Sequence, residues 1–395
     1  MSARQPGATV ARTDLRLTRA RVATATVFAL HAVVFGSWTP HIPLVKDRIG
    51  LHDGTLGLAL LGAPVGSVLA MTVVGTVIAR WGSRRVMIAT MVGYGLAAPA
   101  LGLADSLARL FLALLLLGAF QGSLDIAMNA QAVAVETAYG RPIMSSFHAC
   151  WSLGAFVGAG IGTVAVGLGV GLAPQLLAIG VAFALASPYL ARPLVRDDQA
   201  TDDHHRIVLP WGNRWLLLLG GIMFASLLCE GAAADWTAVY LHDALSAPTE
   251  VAGLGYVSFA VAMFAGRAMG DRWVARYGGG RLVGVLAGAG AVALGTALLL
   301  GRPVPALAGL AVYGLGLALV VPVCFSAAAA TGGSHAGHSI AAVATAGWVG
   351  FLLGPPAIGS LARATSLPLA LGVLPALCAG IALGAPHLRT RPARR

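Results

Sequence analysis

The sequence predicts an all-α polytopic membrane protein, with twelve transmembrane helices arranged as two parallel six-helix repeats. Three observations carry this expectation. Of the 395 residues, 57% are hydrophobic and 10% charged, with a mean hydropathy of +0.81, whereas a soluble domain carries about 25% charged residues. The basic residues collect on one side of the apolar segments. One pattern of residues also recurs at a fixed offset of 196 positions.

A bilayer-spanning helix uses about 20 apolar residues, so roughly ten to fourteen spans would consume this chain. The 52 glycines agree, because small residues let membrane helices approach closely. A transmembrane barrel is excluded by long continuous apolar runs that lack the alternation of barrel strands. Charges, glycines and prolines divide the runs into helices at about 22–46, 53–79, 86–103, 107–138, 143–170 and 172–191. After a polar break they resume at about 214–242, 250–276, 282–300, 303–330, 337–362 and 366–385.

Crossing the membrane at each span sorts the 26 basic residues by side. Lys46, Arg48, Arg109, Arg302 and Arg363 fall on one side and Arg267 within a span, leaving 20 on the side of both termini. This bias puts the termini in the cytoplasm of a multi-pass plasma-membrane protein, the inner membrane of a bacterial cell. The formal charge of +11 thus marks topology and not nucleic-acid binding. Trp81, Trp211, Trp215 and Trp273 fall at cytoplasmic helix ends, as an aromatic belt requires.

The expected divisions are an uncleaved leader at 1–21, a six-helix bundle at 22–191, a polar linker at 192–213, a second bundle at 214–385 and a tail at 386–395. His204 and His205 in the linker read as part of a solvated segment. His335 and His338 are too few for a metal site. Cys150, Cys229, Cys324 and Cys378 are scattered singly within apolar runs, which fits buried free thiols. No metal and no cofactor is expected.

At the 196-residue offset, IARWGSRRV from Ile78 lies over VARYGGGRL from Val274. The same shift superposes Gly118 on Gly314, Gly154 on Gly350 and Gly158 on Gly354. The basic loop after the second helix of each half makes the case for a repeat. Six spans per half leave both halves facing the same way, the architecture of one class of secondary transporter with its site at the midplane.

Twelve spans in two sixes, a polar linker and a basic R-x-G loop after helix 2 resemble the major facilitator superfamily over the whole chain. More narrowly, GSLDIAMNAQAVAVE at 122–136, RPIMSSFHACWSLG at 141–154 and EGAAADWTAVYL at 230–241 resemble its YbjJ-type branch, related to fucose permeases. The resemblance implies that Asp125, in DIAMN, matches the proton-binding carboxylate of fucose symporters. It also implies gating by the loop arginines Arg80, Arg84 and Arg276. The family's aspartate is missing from the first of these loops, and helix 5 lacks the proline pattern of drug antiporters.

Ionisable groups within a span cost a few kcal/mol each unless they face protein, water or a partner. On helix 4, Gln121, Asp125, Asn129 and Glu136 recur at helical spacing and share one face, which calls for a polar cavity beside it. Asp125 lies near mid-bilayer. A carboxylate in low dielectric can be neutral or ionised near physiological pH, which a proton or cation site needs; a structural hydrogen bond is the alternative. Glu136, nearer the cytoplasmic end, reads as a helix cap or a partner of Arg141.

His31 and His148 are candidate partners of Asp125, or packing residues. Glu230, on helix 7, is the second proton-coupling candidate. Asp235, five residues on, lies about 140° round the helix, so the two are not expected to face one cavity squarely. Arg267 and Asp271, four apart on helix 8, suit an in-helix ion pair with a gating role. Trp38, Trp151, Trp236 and Trp348 are candidates for stacking on a substrate, with packing as the alternative. Pro322 and Pro355-Pro356 are expected to bend helices 10 and 11.

Lys46 is the single lysine and no phosphate-binding G-x-x-x-x-G-K-[ST] loop exists, so a pump with its own nucleotide site is excluded. An intramembrane enzyme using Asp125 and His148 would need a third partner that the sequence does not offer. The expectation is a monomeric secondary transporter, not an enzyme. Its partners would be the lipid bilayer, protons and a small neutral or cationic polar solute, sugar-like by the resemblance. Export of amphipathic compounds is the alternative.

Overall fold

The computed structural model describes residues 6–139, 143–195, 214–332 and 336–388. Every regular element among them is helical, and twelve segments are long and apolar enough to cross a membrane. The first six are α1 (Leu15–Ile49), α2 (Asp53–Ile78), α3 (Ser83–Leu103), α4 (Leu107–Tyr139), α5 (Ser146–Gly167) and α6 (Leu172–Ala191). The second six are α7 (Arg214–Ala244), α8 (Thr249–Gly270), α9 (Gly279–Leu300), α10 (Pro303–Ala328), α11 (Ala342–Ala364) and α12 (Leu367–His387).

The first helix reaches back to Pro6, through much of the expected leader, because that stretch is rich in arginine, leucine and alanine and has no breaker after Gly7. Most of the linker, with His204 and His205, lies outside the described residues. So do Arg141, His335 and the side chain of His338. An even number of crossings puts α1's start, the linker and α12's end on one face, called here the linker face; the opposite is the far face.

Both halves pack alike. α1 lies against α5, α2 against α4 and α3 against α6; α7 lies against α11, α8 against α10 and α9 against α12. The offset seen in the sequence reappears at the closest approaches. A Cβ at Gly118 would strike the carbonyl oxygen of Ala63, and one at Gly314 would strike that of Phe259. Gly154 lies on the backbone of Ala29 and Gly350 on that of Phe224. These glycines are therefore matched contacts at which one helix backbone rests on another. The basic loops match as well: Gly82 has φ +78° and Gly278 φ +80°, a conformation that L side chains rarely adopt.

The halves meet where α5 packs on α8 and α2 on α11. At the far face Gly57 abuts the carbonyl oxygen of Pro355, with 2.6 Å to a Cβ built there. Charge joins the halves at the same end: Lys46 on α1 pairs with Asp53 on α2 at 2.6 Å and with Asp243 at the end of α7.

Of the two proline sites expected to bend helices, the one in α10 lies at a break, while α11 continues as one helix from Ala336 to Ala364. α10 breaks between Leu317 and Val320, just before Pro322, which has no N–H for the carbonyl of Ala318 one turn back. Pro355 and Pro356 lie inside the α11 helix. In α1 a 3-10 turn, Thr39–His41, precedes the last segment, Ile42–Ile49, with prolines early in each.

Candidate functional site: a cavity between the halves

A cavity of about 410 Å³ lies between the halves and draws its lining from both, within the size range of small-molecule sites. Its polar lining comes mainly from α4 (Gln121, Asp125, Asn129), α5 (His148, Ser152), α7 (Glu230, Asp235) and α8 (Arg267), with His31 of α1 and Ser67 of α2. Aromatic rings from Phe35, Tyr94, Trp151, Tyr256, Phe259 and Trp348 supply much of the rest.

The α4 stripe faces the cavity as helical spacing requires. Asn129 donates its amide to the backbone oxygen of Asp125 at 2.8 Å and to Asp125 Oδ1 at 3.3 Å. Glu136 leaves the cavity to the first three. Its Oε2 accepts the amides of Ile143 at 2.6 Å and Met144 at 2.7 Å, capping the helix Met144–Gly167 whose first N–H groups have no intrahelical acceptor.

Glu230 and Asp235 both line the cavity, against the expectation from their separation. On the helical wheel Leu227, Gly231 and Ala234 lie between them. Leu227 lines the cavity with them, whereas Gly231 packs against the Phe351 ring and Ala234 is buried, so the two carboxylates reach the space from either side of a packed strip of α7. Asp235 has no hydrogen-bond or ionic partner among the described residues.

Arg267 reaches partners on three other helices. Its guanidinium donates to Glu230 Oε2 at 3.2 Å and to Ser152 Oγ at 2.7 Å. Its Nε reaches the carbonyl of Ala318 at 3.4 Å, the acceptor that Pro322 leaves without an amide. One side chain thus joins α7, the α10 break and, across the halves, α5. The Asp271 side chain lies outside the described residues.

The histidines take partners other than Asp125. Trp151 Nε1 donates to His31 Nδ1 at 3.1 Å, so the neutral imidazole carries its proton on Nε2. His31 also packs 5.2 Å from the Tyr94 ring. His148 meets the Phe28 ring edge-on at 5.5 Å and lines the cavity.

Of the four tryptophans, Trp38, Trp151 and Trp348 line the cavity. Trp236 does not. It is wholly buried and lies against Gly359 of α11, 3.2 Å from a Cβ built there, because its side of α7 packs between the helices instead of facing the space. Among the loop arginines, Arg80 is exposed, Arg84 is half-buried and Arg276 sits 5.4 Å from the Tyr277 ring.

Sequence reasoning missed Ser152, Tyr94 and Tyr256 in the lining, and the Lys46–Asp53–Asp243 bridge. Ser152 follows His148 by one turn and adjoins Trp151, a local signal. Nothing in the sequence pairs Lys46 with an aspartate nearly two hundred residues away.

The family model of the Major Facilitator Superfamily matches residues 24–355. An uncharacterized MFS-type transporter of Yersinia pestis is 36% identical over 367 residues, covering 92% of this chain and 94% of its own. An uncharacterized transporter of Sinorhizobium fredii is 36% identical over 369 residues, covering 92% and 96%. The membrane protein MosC of Rhizobium meliloti is 33% identical over 352 residues, covering 88% and 85%. Among solved structures, a mutant of the nucleoside transporter NupG aligns with a TM-score of 0.72 at 12% identity, over 93% of this chain and 99% of that one. At that identity the likeness concerns the fold.

Proposed function

Since the chain belongs to the major facilitator superfamily, we propose that it is a proton-coupled secondary transporter that moves a small neutral or cationic polar solute by alternating access. The observation that carries this reading is the charge of the cavity. Asp125, Glu230 and Asp235 line it, and Arg267, the one arginine in the lining among the described residues, is already engaged by Glu230. Among those residues an anionic solute would meet the carboxylates of Asp125 and Asp235 and no free cation.

Asp125 is the proton site in this reading. Among the described residues it faces the cavity with one side-chain partner, Asn129, and no cation beside it, so its charge responds to a proton or a bound cation. Glu230 is the second coupling carboxylate, released from or held by Arg267. Because Arg267 also binds Ser152 of the other half, protonation of Glu230 changes how the guanidinium that ties the halves is held. The far face, closed by Lys46 and its aspartates, is the periplasmic gate, and the linker face is cytoplasmic by the basic-residue bias. Sugar-like solutes suit the aromatic and polar lining, in line with the fucose permease resemblance.

A second reading, export of amphipathic compounds, draws on the aromatic share of the lining. Purified protein screened by thermal shift separates the two: stabilisation by sugars or polar amines supports the first, and stabilisation by bulky lipophilic cations alone supports the second. In reconstituted vesicles, movement of the stabilising solute should follow an imposed pH gradient. Transport indifferent to that gradient would remove proton coupling from the account.

A further inference from the structure

The linker face carries a second large recess, of about 910 Å³, between the start of α1 and the end of α6. Four arginines from three places in the chain line it: Arg16 and Arg19 on α1, Arg84 at the start of α3, and Arg192 just past α6. Among the described residues none of the four pairs with a carboxylate. Two far-face arginines are engaged: Arg109 pairs with Asp105, and Arg48 donates to the carbonyls of Gly102 and Ala104, both at 2.8 Å. The Arg192 guanidinium sits 4.7 Å from the Tyr189 ring, which orients it without neutralising it.

Below the arginines the recess is apolar and opens outward. Val22 is 59% exposed and Tyr189 64%, and on a membrane helix such exposed apolar surface faces lipid. Ala23 and Leu194 close the buried side. The recess therefore combines a concentrated positive rim at the depth of the headgroups with an apolar wall continuous with the acyl region. A soluble anion would use the rim alone. We propose that this recess is a binding site for the phosphodiester headgroup of an anionic membrane phospholipid, with an acyl chain lying along Val22 and Tyr189. Basic clusters beside membrane helices gain about fivefold in affinity for anionic lipid per Arg near the surface. Arginine also suits phosphate better than lysine through its paired donors.

The test is native mass spectrometry of the full-length protein, exposed in detergent to phosphatidylglycerol or phosphatidylcholine. The expected result is retention of phosphatidylglycerol over phosphatidylcholine, by about tenfold or more. The combined variant R16Q/R19Q/R84Q/R192Q should lose that preference, while R302Q on the far face keeps it. Single variants R16Q and R192Q, at exposed side chains that tolerate change, should each weaken it about fivefold, which keeps the test open if the fourfold variant does not fold. The fourfold lysine variant should retain part of the preference. Equal retention of both lipids by the natural protein, or an unchanged preference in the fourfold glutamine variant, would overturn the site. Displacement of the lipid by inorganic phosphate alone would reassign it to a free anion. A preference that emerges only in D197N/D198N/D202N/D203N would show that the acidic linker is its occupant instead.

Discussion

Arg267 on α8 donates to Ser152 on α5 at 2.7 Å, a hydrogen bond that crosses from one six-helix half to the other inside the central cavity. The same guanidinium holds Glu230 and the carbonyl that Pro322 leaves free. A polar tie in this position rests on several partners at once, so removing one partner leaves the others buried and incompletely satisfied.

Arg267→Ala is expected to reduce transport at least tenfold and to destabilise the protein by about 3–5 kcal/mol, since it strands Glu230. Glu230→Gln keeps a hydrogen-bond acceptor and should cost less stability while impairing coupling. Ser152→Ala should weaken the tie without leaving a charge alone. Thermal unfolding and vesicle transport of the three variants check this order; an Arg267→Ala protein as stable and active as the parent would contradict it.

Lys46→Gln should open the far face. With its ammonium gone, Asp53 and Asp243 repel each other where the halves meet. In a cysteine-free background carrying Leu60→Cys, at a residue of α2 that lines the cavity, a membrane-impermeant thiol reagent applied to the far face should label the cavity at least threefold faster in the Lys46→Gln protein. Equal labelling rates would remove the bridge from the gate.

Gly118→Ala and Gly314→Ala should each destabilise by about 1–3 kcal/mol, because the new methyl group meets a neighbouring backbone carbonyl. Gly160→Ala and Gly380→Ala serve as controls, as a Cβ there meets nothing within 4 Å. Unfolding of the four variants in one detergent distinguishes contact glycines from spectators; equal stability across the set would refute the matched-contact account of the repeat.

The fold was legible in the sequence because a bilayer imposes a length on every apolar run and a sidedness on every basic loop. The repeat was legible because Gly82 and Gly278 need the same unusual backbone and Gly118 and Gly314 the same close approach. The α4 stripe was legible because one helix's periodicity fixes its face. Partners across helices were not. Periodicity along α8 does not reveal that its packing on α7 brings Arg267 to Glu230. Trp236 looks like its fellow tryptophans in sequence, but its side of α7 is turned into the packing. The angle between Glu230 and Asp235 suggested different surroundings, but the cavity curves far enough round α7 to take in both.

The central claim is that Asp125 carries the coupling proton. Its most direct test uses the solute that stabilises the protein most in the thermal-shift screen, with Asp125→Asn and the natural protein reconstituted side by side. Asp125→Asn is expected still to exchange labelled solute across the vesicle membrane without a gradient but no longer to accumulate it when a pH gradient is imposed. Accumulation by Asp125→Asn driven by that gradient, at the rate of the natural protein, would contradict it.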